Sequence, residues 1–433
     1  MKQNYQMIDD AATAVAVPEV VSVALGEVMA DVREGLLAMA VGTGLQVMAA
    51  MMHEDVTAVC GPKGQHDPDR VAVRHGSEQG SVILGGRRVP ITRPRMRAAD
   101  GSGELPVRSY ELFTGTEVLG RMAMAKMLAG ISTRGWRVGL EPVGEQVEQA
   151  ATSTSKSAIS RRFVKATETA LAELLAAPLH EVDLVAVMLD GVHFGEHLCV
   201  VALGIGIDGT KHPLALVEGD TENATVVTDL LVGLRERGLD VTRPILVVID
   251  GAKALRAAVT RVFDHPVIAR CQIHKLRNVA DRLPDRLAAT VTKRMRRAYH
   301  ADSALAAEAQ LQALAKELER THPGAAGSLR EGLAETLTVL RLGVPPTLAR
   351  TLRSTNSIES MISIARTHSR NVKNWQNGQM ALRWCAAGMA EAGKQFRRVN
   401  GHMHLAALRR TLDEHVAAEN VGAVRHDDPV IAA

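Results

Sequence analysis

Two aspartates in this sequence each close a run of β-forming apolar residues, Asp183-Leu-Val-Ala-Val-Met-Leu-Asp190 and Ile245-Leu-Val-Val-Ile-Asp250. An acid in that position sits at the carboxyl edge of a sheet, where α/β proteins bind ligands. Each is followed by a glycine, Gly191 and Gly251, which lets the chain turn away and leaves the carboxylate open. Ordinary Asp-Gly turn chemistry accounts for either one alone, but two such sites on strands that can be neighbours make a pair. Oxygen-only ligands converging on one point suit Mg²⁺ or Mn²⁺, which retain waters for substrate phosphates to displace. The chemistry implied is phosphoryl transfer, with two ions activating a nucleophile and stabilising the leaving 3′-oxygen of an in-line displacement.

A third carboxylate completes such a site, and Glu359 is the candidate. Its local sequence carries a second explanation, since Asn356 as N-cap with Glu359 three positions later is a capping-box arrangement. Arg366 stands two helical turns further on the same face, followed by Arg370 and Lys373 along the same stripe. A basic stripe beside an acidic metal site holds a DNA backbone in register; a solvated helix face produces the same pattern. Cys271-Gln-Ile-His274 offers two soft ligands, yet no second pair of suitable spacing lies nearby for a structural zinc site. Asp208, Glu218, Asp220 and Asp229 compete as metal ligands, with Asp220 the strongest competitor.

The elements that must position these residues follow from periodicity. After Val182 the chain alternates: strands at Asp183–Asp190, Leu198–Ile207 and Leu214–Val217 form a meander, then come a helix over Asn223–Arg237, a strand over Ile245–Ile249, a helix over Ala252–Phe263 and a short strand over Val267–Ala269. This is an α/β sheet with acids at strand ends. From Leu276 to about Leu342 the texture is purely helical, as in an inserted subdomain, and Ser354-Thr-Asn-Ser-Ile-Glu359 opens a further helix.

Upstream, apolar runs over Ala11–Leu25 and Val28–Met52 read as helices, and a hairpin is expected where Ser81-Val-Ile-Leu84 and Arg87-Arg-Val-Pro-Ile-Thr92 flank Gly85-Gly86. Its rim of Arg87, Arg88, Arg93, Arg95 and Arg97 either faces phosphates or guards a solvated edge. Glu145 to Ala151, a polar turn and a helix capped by Ser155 have helix-turn-helix spacing, which puts Lys156, Ser157, Ser160 and Arg161 near base edges or phosphates.

The chain has 433 residues, 46% hydrophobic and 23% charged, which excludes wholesale disorder and a polytopic membrane protein. Its four cysteines are scattered and no secretory signal opens it, so a cytoplasmic protein without disulfides is expected. The charge-free stretch from Gly35 to Met52 contains Gly42, Thr43, Gly44 and Gln46 and suits a buried or oligomer-forming helix better than a membrane span. Net charge is only +3, but Arg341–Arg410 carries twelve Lys or Arg against Glu359 and Glu391, the local surplus that a polyanion partner requires.

Together these segments resemble the Mutator-type family of bacterial insertion-sequence transposases. The resemblance rests on Leu189-Asp-Gly-Val-His-Phe194, Val248-Ile-Asp-Gly-Ala-Lys-Ala254, Cys271-Gln-Ile-His-Lys275, and Ser354-Thr-Asn-Ser-Ile-Glu-Ser360 with Arg366. It covers about Asp183 to Arg398, and more loosely Arg74-His-Gly76 and Ser155–Ser160. It implies a DDE triad of Asp190, Asp250 and Glu359 holding Mg²⁺ or Mn²⁺ on a ribonuclease H-like sheet, with an all-helical insertion before the Glu and with Cys271 and His274 near the active site. It implies double-stranded DNA as partner, as terminal inverted repeats and as target, and a homodimer or larger assembly at the nucleoid.

The domain organisation expected is an N-terminal helical segment over 1–60, with an apolar helix suited to oligomerisation, and a DNA-binding region over 61–175. A catalytic domain follows over 180–275 and 350–400, interrupted by a helical insertion over 276–349, with a tail over 401–433. Two other classes compete. A DNA-binding regulator derived from a transposase would lose the chemistry, whereas all three acids are present; a Mg²⁺-dependent phosphatase or kinase would place a second Asp at position 192, which is Val, or carry a Walker loop, which is missing.

Overall fold

The computed structural model describes residues 19–426 except 66, 85, 115, 137, 138, 141, 142, 220 and 222. The chain divides into two compact units, 1–123 with 133–160, and 124–132 with 161–433.

In the first unit, α1 (Glu19–Cys60) is one continuous helix where the sequence suggests two; the start of the first apolar run lies outside the described residues. Strands β1 (Ala72–Leu84) and β2 (Arg87–Ala98) pair antiparallel from Ala72↔Ala98 to Leu84↔Arg87, a far longer hairpin than the local apolar runs indicate. The extension runs through Arg74, Glu78, Gln79, Arg93, Arg95 and Arg97, polar residues whose pairing no local apolar alternation marks. Met52, Val56 and Cys60 of α1 form a core with Ala72, Met96 and Val107. Short strand β3 (Glu104–Leu105) adds to β2. Helices α2 (Arg108–Thr114) and α3 (Thr116–Leu128) follow, and Asp55 of α1 accepts hydrogen bonds from the Ser109 amide and hydroxyl at the start of α2, at 2.6 and 2.7 Å. Then come α4 (Glu145–Ala150), β4 (Thr152–Ser153), which pairs with β2, and the start of α5 (Lys156–Ala176), which belongs to the second unit from Arg161 on and whose first turn is capped by Ser155 Oγ accepting from the Ala158 amide at 3.2 Å.

The second unit is built on a five-stranded sheet of β5 (Leu184–Phe194), β6 (His197–Gly206), β7 (Lys211–Glu218), β8 (Ile245–Ile249) and β9 (Pro266–Arg270), in the order β7-β6-β5-β8-β9. The first three strands are an antiparallel meander, and β8 and β9 join β5 in parallel. Helices α6 (Ala224–Glu236) and α7 (Lys253–Val262) fill the crossovers; Asn223 caps α6 by accepting from the Thr225 and Val226 amides. Leu230, Leu231, Leu234, Leu255 and Val259 of these helices share a core with Val187 and Leu189 on one face of the sheet.

The helical stretch contains α8 (Gln272–Ala280), α9 (Asp285–Ala298), α10 (Ala304–Glu319), α11 (Pro323–Arg330), α12 (Leu333–Thr336) and α13 (Thr338–Arg341). These helices bury a cluster of their own around Val279, Met295, Leu311, Leu314 and Leu329. The chain returns through α14 (Pro346–Leu352) and α15 (Asn356–Ser369) to α16 (Gly378–Gln395) and α17 (Leu405–His426). Ile358, Met361, Ala381, Leu405 and Leu412 cover the other face of the sheet, against Met188, Leu203 and Val248. Within the segment after 400, α17 buries Leu405, Leu408 and Leu412 in the sheet's core, and Arg409 donates to Asp183 Oδ1 at 2.6 Å and to the Pro244 carbonyl. Among the described residues no helix is long and apolar enough to cross a membrane.

Candidate functional site

Period-two alternation decides where the strand acids point. Ala186, Met188, Val192 and Phe194 of β5, and Leu246 and Val248 of β8, face the core that holds α15; Asp190 and Asp250 continue those two series. The parallel register aligns Met188 with Val248, so two residues on Asp190 stands beside Asp250, with neighbouring strands about 4.8 Å apart. Glu359 comes to the same place on the first turn of α15.

One expectation about β5 is corrected. The strand does not end at Asp190 but runs to Phe194, still paired with β6 through Gly191↔Val200 and Phe194↔His197. Buried Val192 and Phe194 hold it in the sheet, so Asp190-Gly191 is no turn. A Cβ on Gly191 would lie 2.9 Å from Thr221 Cγ2, a close approach that fits glycine. Gly251 does serve the turn, with φ +112.

The site is electrostatically loaded. Asp190 is buried, and burial, with Asp250 and Glu359 adding repulsion, pushes its carboxyl up to about 6 against the opposing pull of the Gly191 amide and His274. Each acid commits one oxygen to the protein: Asp190 Oδ1 accepts from the Gly191 amide at 2.8 Å, Asp250 Oδ1 from the Ala252 amide at 2.8 Å, and Glu359 Oε1 from the Thr355 hydroxyl at 2.7 Å. Among the described residues the second oxygen of each makes no hydrogen bond. This donor set of three free carboxylate oxygens fits a hard divalent cation.

The capping-box account of Glu359 does not hold. The residue flanking the helix is Thr355, Asn356 lies inside α15, and no side chain caps the first turn. The Glu359 carboxylate instead takes the Thr355 hydroxyl, whose oxygen also lies 3.3 Å from Cys271 Sγ and 3.4 Å from His274 Nδ1. The Thr355 amide donates to the same sulfur at 3.4 Å. Cys271, His274 and Glu359 thus offer ligand atoms within 4.8 Å of one another. Burial raises the Cys271 thiol, but hydrogen bonds with His274 and Thr355 outweigh it and leave the thiol below its ordinary value. The hydrogen bond to Cys271 raises His274 in turn, against burial, with Cys271, Asp190 and Asp250 adding attraction.

Thr355 is a site residue that no motif marks; its signal in the sequence is the four-residue spacing to Glu359, one helical turn. Arg270 is another: buried beneath Gly251, it donates to the Gly251 carbonyl at 2.5 Å and to the Glu331 carbonyl at 3.0 Å. The competing acids have other work. Asp208 accepts from the Thr210 amide at 2.9 Å in the β6–β7 turn, Glu218 pairs with His197 at 2.9 Å, and Asp229 lies on α6 beside a surface cavity; Asp220 lies outside the described residues.

The basic candidates are exposed. Arg366 and Arg370 ride on or at the end of α15, and Lys373 follows it. Lys156, Ser157, Ser160 and Arg161 are exposed on the first turns of α5, and the turn preceding it carries β4, tying the two-helix motif to the hairpin by Arg87↔Ser153. The hairpin rim is largely neutralised: Arg87 is buried against Glu148 at 2.9 Å, Arg93 pairs with Glu78, and Arg95 pairs with Glu104 at 2.6 Å. Arg88 and Arg97 are its exposed cations.

Comparison with known proteins agrees with the motifs. The model of the family described as "Transposase, Mutator family" matches residues 22–399. The transposase for insertion sequence element ISRM5 of Rhizobium meliloti (strain 1021) is 27% identical over 84% of this chain and 89% of its own length. The transposase for insertion sequence element IS6120 of Mycolicibacterium smegmatis is 29% identical over 62% of this chain and 83% of its own. A probable transposase for an insertion sequence element from Corynebacterium diphtheriae is 31% identical over 45% of this chain and 56% of its own. With the match spanning both units, this chain belongs to the Mutator family of transposases.

Proposed function

We propose that this chain is a DDE transposase that binds the terminal inverted repeats of its element and cuts and rejoins DNA strands with Mg²⁺ or Mn²⁺. The observation that carries the reading is the convergence of Asp190, Asp250 and Glu359 from β5, the end of β8 and α15, each with one oxygen held by the protein and one free. A sheet of three antiparallel strands continued by two parallel ones is the arrangement expected of a ribonuclease H-like core.

Bound there, divalent ions would polarise the scissile phosphate and activate the attacking water or 3′-hydroxyl. The chain supplies the rest. The amides of Gly191 and Ala252 and the Thr355 hydroxyl fix the carboxylate planes, so the acids need no reorganisation when substrate arrives. His274, held more basic than usual, offsets part of the negative charge behind Asp190 and Asp250. Arg366, Arg370 and Lys373 lead away from Glu359 and suit phosphates flanking the cut. Exposed Lys156, Ser157, Ser160 and Arg161 suit recognition of the terminal repeats from the opening turns of a helix.

The test is cleavage of a labelled duplex carrying the terminal repeat, with Mg²⁺ or Mn²⁺ and with chelator. Wild type is expected to nick at the repeat boundary only with metal, and Asp190→Ala, Asp250→Ala and Glu359→Gln to bind the duplex without nicking. Binding without nicking by the wild type as well would sink the catalytic reading and make the protein a DNA-binding derivative.

A further inference from the structure

The helical stretch between β9 and α14 has a surface that the triad does not use. Helix α9 carries Arg286, Lys293, Arg294, Arg296 and Arg297 against a single acid, Asp285. Its inward face is Val291, Met295 and Ala298, packed in the core of the helical stretch with Leu287 beside them. At 100° per residue, Arg286, Lys293, Arg296, Arg297 and His300 fall on the opposite side as one stripe. All five are exposed. Arg294, to one side, is taken by Glu317 at 2.5 and 2.7 Å. Arg286, Lys293, Arg296 and Arg297 have no carboxylate within 4.0 Å among the described residues.

The stripe leads to the site. His300 Nδ1–H donates to the Arg296 carbonyl at 2.7 Å, which leaves Nε2 to accept from Arg353 Nη1 at 2.9 Å. Arg353 is half-buried and has no carboxylate partner among the described residues. Its own carbonyl accepts from the Gln272 amide at 2.9 Å, next to Cys271, and two residues later Thr355 touches Glu359. From Arg286 to His300 the stripe is about 21 Å long, roughly two thirds of a turn of B-DNA. Four unneutralised cations on one helix, continued through His300 to an arginine two residues before Thr355, are a track for a polyanion. A helix that needed only solubility would gain as much from mixed signs, as Arg294 and Glu317 show one turn away.

We propose that the α9 stripe, continued by Arg353, binds the phosphodiester backbone of duplex DNA beside the scissile phosphate, without sequence preference. This rests on the DDE reading for the position of the scissile phosphate. Together with Arg366, Arg370 and Lys373 it gives the site cations both before and after Glu359 in the chain, from the helical stretch and from α15.

The experiment measures the affinity of the full-length protein for a random-sequence duplex by fluorescence anisotropy from 50 to 300 mM NaCl. Lys293→Gln/Arg296→Gln/Arg297→Gln is expected to lower the slope of log K against log salt by between about 2 and 3, at about 0.9 per lost phosphate contact, and to weaken binding roughly 100-fold at 0.1 M salt. The charge-preserving Lys293→Arg/Arg296→Lys/Arg297→Lys is expected to keep the wild-type slope, separating charge from packing. A wild-type slope in the glutamine variant, with Asp250→Ala still abolishing nicking, would overturn the stripe and leave the function standing. A lowered slope in the glutamine variant, with a wild type that never nicks, would instead overturn the DDE reading and leave a DNA-binding surface.

Discussion

The Thr355 hydroxyl lies 2.7 Å from Glu359 Oε1, one helical turn along the chain, and the same oxygen touches Cys271 and His274. A hydroxyl has one proton, and a carboxylate only accepts. With the proton committed to Glu359, the oxygen is left to accept from His274 Nδ1, so His274 holds Thr355 and Thr355 holds Glu359. Partners of this kind are worth about 10–100-fold in metal affinity or activity. Thr355→Val keeps the shape and removes the hydroxyl; it is expected to slow nicking by that factor and to raise the Mn²⁺ concentration needed for half-maximal rate. Thr355→Ser is expected to restore both, and a valine variant with the wild-type Mn²⁺ dependence would show that Glu359 needs no such support.

Asp190 makes the metal-free site sensitive to pH. Its carboxyl stands at about 6 when folded and ordinarily at 3.8, so between those limits the folded chain binds more protons than the unfolded one. Stability is therefore lost as pH rises through about 6. Asp190→Asn keeps an acceptor for the Gly191 amide and cannot ionise. In chelator at pH 7.5 it is expected to be more stable than wild type by at most about 3 kcal/mol, the size of a two-unit shift. The gain should vanish below pH 4, and Mn²⁺ should close it at pH 7.5 by binding the native carboxylates of the wild type alone. Urea midpoints at three pH values check all of this; a gain that is flat with pH would place its origin elsewhere.

Much of the second unit was legible because its strands are apolar on both faces and its helices carry amphipathic periods. The five strands appear where Val, Ile and Leu run together. Asp190-Gly191 misled because a glycine in a strand chosen for a close approach to Thr221 looks like a turn. Glu359 stood in a capping-box spacing, and only the tertiary placement of Cys271 decides that Thr355 rather than Asn356 flanks the helix. The hairpin's polar extension and the pairing of Arg93 and Arg95 with Glu78 and Glu104 depend on strand register, which local sequence does not fix when both faces are polar.

Lys275, next to His274, ties the helical stretch to the site. Its buried ammonium donates to the Ser328 and Glu331 carbonyls at the end of α11, and burial, with repulsion from Arg270, brings it down to about 8. The donors stay in place because the carbonyls of a helix end need partners. Lys275→Met fills the same volume and orphans both. It is expected to destabilise the protein by about 1–3 kcal/mol for each carbonyl left without water. The loss should be read as faster amide exchange in α11 than in β5. Uniform exchange across both would show that Lys275 supports no particular element.

Gly251 links the backbone beneath Asp250 to Arg270. Its φ of +112 is one that other residues rarely adopt, and an added Cβ would fall 2.1 Å from Arg270 Nε. Arg270 cannot step aside easily, since it is buried and donates to the Gly251 and Glu331 carbonyls. Gly251→Ala must therefore change the backbone or expel the guanidinium, and either shift moves the Ala252 amide that holds Asp250 Oδ1. The expected cost is at least about 1–2 kcal/mol from conformation alone, with nicking reduced more than 10-fold because a misplaced carboxylate loses its geometry. Asp250→Ala separates the two effects, since it removes the carboxylate without straining the turn. It should abolish nicking while leaving the urea midpoint at or above that of wild type in chelator. If Gly251→Ala nicked at the wild-type rate with an unchanged midpoint, the turn would be free to relax, and Arg270 would not be what sets the position of Asp250.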